Sequence, residues 1–189
     1  MVSDYMNIGI ISDTHGCAKT WETIYDKYFI QCDFIIHAGD ILYHGPRNDI
    51  SAEYNPKQLA NVLNNCPIPI IAACGNCDAE VDSMVLTMPI QSPYAYMVVD
   101  GLHIIATHGH NLTEDAKKEM AIKFKANLFI TGHTHVAVLE KNNNIVYLNP
   151  GSPAMSKRAD GLGTFARLTG DTIEVLDAAS GQVLMSERL

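Results

Sequence analysis

No apolar run in the sequence approaches the roughly 18 to 20 residues that cross a bilayer, so no membrane-spanning helix is expected. Nor is there a cluster of Lys and Arg. With 13 basic against 21 acidic residues the formal charge is -8, and the electrostatic footprint of a protein that tracks a nucleic-acid backbone is missing. A small anionic substrate stays open, because bound divalent cations reverse the local sign. Met1 to Met6 lacks the basic, then apolar, then small-residue succession of a secretory signal, and a cytoplasmic location is expected. The five cysteines (Cys17, Cys32, Cys66, Cys74, Cys77) are odd in number and widely spaced, which favours reduced thiols over a disulfide framework. Cys74-Gly75-Asn76-Cys77 has no second Cys-x-x-Cys to complete a zinc knuckle, leaving a redox pair as its only other special reading. No Pro/Gly/Ser-rich linker, repeat or composition break divides the chain, so residues 1–189 are expected to form one domain.

Short apolar runs alternate with helical periodicity through the first half. Asn7 to Ser12 reads as a strand covered on both faces, and Trp21, Ile24, Tyr25, Tyr28 and Phe29 repeat with the spacing of an amphipathic helix over Ala18 to Ile30. Phe34 to His37 and Ile68 to Ala73 are expected strands, separated by a helix that opens at Pro56 and stops before Pro67. Asp100-Gly101 predicts a tight hairpin between Tyr94 to Val99 and Leu102 to Thr107. Thr113 caps an expected helix to Lys125, followed by a strand over Asn127 to Thr131. The last third predicts five strands (Val136 to Lys141, Ile145 to Leu148, Thr164 to Thr169, Thr172 to Leu176, Val183 to Ser186) read as an antiparallel meander. Two sheets packed face to face with helices outside follow from that order.

The polar residues gather where five of these strands end: Asp13 and His15, Asp40, Asn76, His108 with His110, and His133 with His135. Open α/β sheets place their ligand crevices at such carboxyl ends. Asp13 and His15, like His133 and His135, are two apart and project to one side of an extended segment, so each pair can chelate. A mixture of carboxylate and imidazole suits manganese, iron or zinc better than all-oxygen magnesium sites or thiolate zinc sites. Taken singly, any of these residues could be a turn or a helix cap.

Asp13-x-His15, Gly39-Asp40, Gly75-Asn76, His108 and Gly132-His133-x-His135 together resemble, in order, the motifs of the calcineurin-like metallophosphoesterase superfamily. His44-Gly45-Pro46-Arg47-Asn48, Gly75-Asn76-Cys77-Asp78, Thr107-His108-Gly109-His110 and Asn149-Pro150-Gly151-Ser152 look most like its small bacterial phosphodiesterases of the YfcE type. The resemblance implies a four-layer α/β/β/α sandwich of two mixed sheets with flanking helices. It also implies two divalent ions, manganese foremost and zinc, iron or nickel as substitutes. Asp13, His15 and His135 would hold one, Asn76, His108 and His133 the other, and Asp40 would bridge them. The reaction implied is hydrolysis of a phosphate diester by a metal-bound hydroxide, with Asp40, Asn76 and His108 in the catalytic centre.

In the wider superfamily a histidine commonly follows the metal-binding asparagine; here Cys77 stands there. A thiol matches the proton-donor role less well than imidazole, which favours esters whose leaving groups need little protonation. Arg47 is a candidate to pair with a phosphate oxygen, or a solvated loop arginine, and His44 and Asn48 share its loop. His110 is a substrate contact, a support for His108 or purely structural. His37, inside an apolar run, reads as a core histidine with its polar atoms satisfied. The competing functions are a phosphomonoesterase using the same site and a non-catalytic interaction scaffold, as in the retromer subunit that resembles this family. The expected partner is a small phosphate ester, with no nucleic acid, no membrane, and self-association left open.

Overall fold

In the computed structural model, which describes residues 6–189, strand β1 (Asn7–Ile11) divides its side chains between two cores. Ile8 and Ile10 enter one apolar cluster and Ile11 another, as the two-residue period of a strand requires. The reading of Met1 to Met6 as lacking a secretory signal lies outside the described residues, save for Met6. The same division recurs in β2 (Phe34–His37), where Ile36 faces inward and Ile35 outward. It recurs again in β6 (Leu102–Ala106) and β7 (Leu128–Ile130), whose Ile105 and Phe129 turn away from Ile104 and Leu128.

These strands belong to two mixed sheets. With β3 (Ile70–Ala73), β4 (Ile90–Gln91), β10 (Thr164–Thr169), β11 (Thr172–Asp177) and β12 (Val183–Arg188), the first sheet runs β12-β11-β10-β1-β2-β3-β4. With β5 (Ala95–Val99), β8 (Val138–Asn142) and β9 (Ile145–Asn149), the second runs β5-β6-β7-β9-β8. The innermost core lies between them. Helices α1 (Ala18–Ile24) and α2 (Pro56–Asn64) supply Trp21, Ile24, Leu59 and Leu63 to the outer face of the first sheet. Helix α3 (Glu114–Lys123) supplies Ala121 to the outer face of the second. This is the four-layer arrangement that the resemblance implied. Among the described residues no helix is long and apolar enough to cross a membrane.

Local signals hold where they are chemical. Asn55 accepts the Gln58 N–H at 3.1 Å ahead of Pro56, and Thr113 accepts the Ala116 N–H at 3.2 Å, so both helix starts are capped. Asp100 and Gly101 both take positive φ, 49° and 81°, as the tight hairpin between β5 and β6 demands.

Two expectations are corrected. The helix over Ala18 to Ile30 is α-helical only to Ile24 and widens into a π-helical turn over Tyr25–Phe29. That extra residue per turn brings Phe29 into edge-on contact with Trp21 and Phe165, with ring centroids 6.3 and 5.5 Å apart. The last third is not one antiparallel meander. β8 and β9 form a hairpin in the second sheet, where β9 lies parallel to β7, while β10, β11 and β12 return to the first sheet beside β1. Burial explains the insertion: Ile145, Val146 and Leu148 bury both faces of β9, which suits an interior strand.

Candidate metal centre

Strands β1, β2 and β3 are neighbours in one sheet and β6 and β7 in the other, and the segments after all five open on the same edge of the sandwich. Five of the expected ligands meet there with little solvent. Asp13 and His15 are fully buried, and Asp40, His108 and His135 are at most 2% exposed. Asp13 Oδ1 lies 3.2 Å from His135 Nε2, 3.7 Å from His15 Nε2 and 3.9 Å from His108 Nε2. Asp40 Oδ2 lies 3.2 Å from His108 Nε2 and 3.7 Å from His15 Nε2.

The imidazoles are aimed by their far nitrogens. His15 Nδ1–H donates to the Tyr43 carbonyl at 2.7 Å, His108 Nδ1–H to Ala38 at 2.8 Å and His135 Nδ1–H to Met155 at 2.5 Å. With Nδ1 committed as donor, each neutral ring turns the lone pair of Nε2 toward the carboxylates. His15 Nε2 and His135 Nε2 then stand 3.0 Å apart. Asp13 is oriented the same way: Oδ2 accepts from Ser12 Oγ at 2.6 Å and from the His133 N–H at 3.0 Å, leaving Oδ1 free for the cluster.

Asp13 Oδ1 and His108 Nε2 are buried without a hydrogen-bond partner. Buried acceptors facing acceptors are costly unless a proton or a cation lies between them. Protonation shows the same demand. Burial opposes charge on His15 and His108, yet their carboxylate neighbours raise both above the ordinary imidazole value. Burial would raise Asp13 and Asp40, but the histidines hold both below the usual carboxylate range. Asp13, His15 and His135 offer ligand atoms within 4.8 Å of one another, and so do Asp13, Asp40 and His108. A nitrogen and oxygen donor set in a dry pocket fits divalent transition ions.

The backbone supports this placement at a cost. Asp13, His15, Asp40, His133 and His135 all have φ between 43° and 71°, the left-handed region. Each conformation is unfavourable by roughly 1 kcal/mol or more for a residue with a Cβ. Close backbone approaches permit it. A Cβ on Gly75 would meet Asp40 Oδ1 at 2.1 Å, and one on Gly132 would meet Ser12 Oγ at 2.1 Å and Asp13 Oδ2 at 2.8 Å.

Of the remaining expected residues, Arg47, Asn48, Asn76, Cys77 and His133 line an adjoining cleft of about 710 Å³, whose wall also includes Lys157. The His133 ring is half-buried and edge-on to His108, 5.3 Å between centroids. Asn76 is exposed and its amide nitrogen donates to Cys77 Sγ at 3.3 Å. Cys77 N–H donates to Asp40 Oδ1 at 2.8 Å; burial and the Asp40 charge push its thiol up to about 12. His110 is exposed, 5.6 Å from the His108 ring, and lies outside the cleft wall. His44 is also outside it, its ring edge-on to Tyr43 and Tyr54. His37 is a core residue: Nδ1 accepts the Gly39 N–H, so Nε2–H donates to Thr14 Oγ1 at 2.9 Å. Burial brings its pKa down to about 3.

Lys157 escaped the sequence reading, and Asp78 entered it only within Gly75-Asn76-Cys77-Asp78, with no role of its own. Lys157 lies in the cleft wall but carries no motif signal. Asp78 accepts three backbone N–H groups, from Ile41 and Gly75 at 2.7 Å and Asp40 at 2.9 Å, and so ties the loops after β2 and β3 together. An Asp just after Gly75-Asn76 was visible; its partners 37 and 38 residues earlier were not.

Residues 6–172 match the model of the calcineurin-like phosphoesterase superfamily domain. The chain is 30% identical over 172 residues to phosphodiesterase YfcE of Escherichia coli, an alignment covering 90% of this chain and 91% of that protein. The solved structure of the Escherichia coli YfcE phosphoesterase superposes with a TM-score of 0.86 at 27% identity, over 97% of this chain and 99% of that one. Vacuolar protein sorting 29 from Cryptosporidium parvum shares the fold alone, with a TM-score of 0.68 at 16% identity over 98% of each chain.

Proposed function

Because the chain belongs to the calcineurin-like phosphoesterase superfamily, we propose that it is a hydrolase of phosphate diesters that works with two divalent ions, manganese foremost. The observation that carries this reading is the orphaned pair of buried acceptors, Asp13 Oδ1 and His108 Nε2, 3.9 Å apart and facing each other with no donor between them. In this reading Asp13, His15 and His135 would hold one ion and Asn76, His108 and His133 the other, with Asp40 as a shared ligand. The bound ions would supply Lewis acidity toward a phosphoryl oxygen and an acidified water nucleophile.

The chain's own groups do the rest. The Nδ1–H bonds of His15, His108 and His135 fix ring orientation before any ligand arrives. Arg47 and Lys157 in the cleft wall add positive charge on the substrate side, and neither has an ion pair among the described residues. Arg47 binds a non-bridging phosphate oxygen with its guanidinium fork. A thiol at Cys77 matches proton delivery to a leaving alkoxide less well than an imidazole would. That favours ester groups that depart as stable anions, and diesters of acidic alcohols over ordinary alkyl monoesters.

The free cysteines support a reducing, cytoplasmic setting, and the formal charge of -8 supports a small substrate over nucleic acid. A non-catalytic interaction scaffold with the same fold is the second reading, but the presence of all seven candidate ligands favours catalysis. Matched aryl mono- and diesters should be assayed with protein stripped by chelation and reloaded with single metals. Turnover of the diester should disappear on stripping and return best with manganese. Diester turnover that survives metal removal, or a dominant monoesterase rate, contradicts the proposal. In the same assay Arg47→Ala should raise KM about tenfold with metal content unchanged, the loss of one charge-assisted contact; an unaltered KM would assign Arg47 to solvent.

A further inference from the structure

Beside the cleft a second hollow of about 590 Å³ runs between α2 and the 3-10 turn Glu80–Met84. Tyr43, Cys77 and Ala79 belong to the walls of both, so the two form one continuous surface. Tyr43, Tyr54, Ala60, Val81 and Val85 make much of this trough apolar. His44 explains how one wall stands: its ring is edge-on to Tyr43 at 4.6 Å and to Tyr54 at 5.1 Å, a pillar between two aromatic faces. The Tyr43 carbonyl also accepts from His15 Nδ1, which ties the wall to the metal centre. On the opposite rim Val81 and Val85 are 59% and 51% exposed.

We propose that this trough seats an apolar, ring-sized ester substituent of the substrate while the phosphate occupies the metal centre. The inference rests on the phosphodiesterase reading above and names the class of ester. Continuity carries it: a group attached to a phosphate at Asp40 and leaving past Cys77 enters the trough along their common wall. Aromatic faces and valine methyls reward a flat hydrophobic ring and offer little to a charged or small alkyl group.

Diphenyl phosphate and dimethyl phosphate carry the same charge and differ in the ring, so they are the probes. Calorimetric titration of the manganese-loaded protein is expected to show diphenyl phosphate binding at least about tenfold more tightly, as burial of a ring predicts. The double substitution Val81→Asn, Val85→Asn, on the exposed rim, should reduce that preference to about twofold with metal content unchanged. Equal affinity for the two probes in the unaltered protein overturns the proposal, as does a preference that survives the substitutions. If the substitutions instead split an oligomer in sedimentation and leave the preference intact, the rim is a subunit interface and the trough is not a substrate site. Turnover of methyl p-nitrophenyl phosphate reports separately on the reaction. Its absence alongside an intact ring preference removes the phosphodiesterase reading and leaves the ring-binding trough.

Discussion

Asp40→Asn is expected to reduce diester hydrolysis by about a thousandfold, equivalent to about 4 kcal/mol of transition-state stabilisation. The substitution keeps the shape of the side chain and its ability to accept the Cys77 N–H, now 2.8 Å from Oδ1. What it removes is the negative charge beside His108 Nε2 and His15 Nε2, 3.2 and 3.7 Å from Oδ2. Two divalent ions held by Asp13 and Asp40 leave a net of two positive charges; without Asp40 the excess grows and the second ion should dissociate first. Metal analysis of the purified variant should therefore return about one ion or none, while thermal unfolding of the stripped proteins should differ little. A variant that retains both ions and full turnover would show that Asp40 does not bridge.

Asp78→Ala should be the most destabilising single change near the site that touches no proposed ligand atom. Three N–H groups, of Asp40, Ile41 and Gly75, lose their acceptor at once. Each buried donor left unpaired costs about 1 to 3 kcal/mol, moderated here by water entering a half-buried position. A total of about 3 kcal/mol would lower Tm by roughly 6 to 12 °C in a protein of this size. Metal affinity should fall as well, by about 10- to 100-fold, because the freed loops carry Asp40 and Asn76. Asp78→Asn keeps one carboxylate-like oxygen and should fall between the two in both measurements. Scanning calorimetry and metal titration check this, and an Asp78→Ala protein with unchanged Tm would mean that other groups hold the two loops together.

The contrast between Asp40 and Asp78 shows what could be read in advance. Asp13, His15, Asp40, His108 and His135 follow apolar runs whose strand character is set by local composition, so their convergence at one sheet edge followed from the alternation of strands and helices. The helix start at Pro56, the cap at Thr113 and the Asp100-Gly101 turn were legible for the same reason: each signal lies within three residues of what it sets. Asp78 works through contacts across 37 and 38 residues, and nothing in its neighbours reveals them. The apolar residues on both faces of β9 suit an interior strand, but which sheet receives the β8 and β9 hairpin, and the parallel seat beside β7, depend on contacts between distant segments. His44 shares a loop with Arg47, and nothing in that loop's sequence marks the edge-on contacts its ring makes with Tyr43 and Tyr54.

Left-handed φ at Asp13, His15, Asp40, His133 and His135 has an evolutionary corollary. Glycine occupies that region freely and asparagine tolerates it. Mutational drift to glycine at these positions would therefore release tension from the polypeptide at the same moment that it discards a donor atom. A lineage no longer selected for hydrolysis could shed its ions one substitution at a time and become sturdier as it did so, arriving at an inert sandwich free to serve as a mounting surface for other proteins.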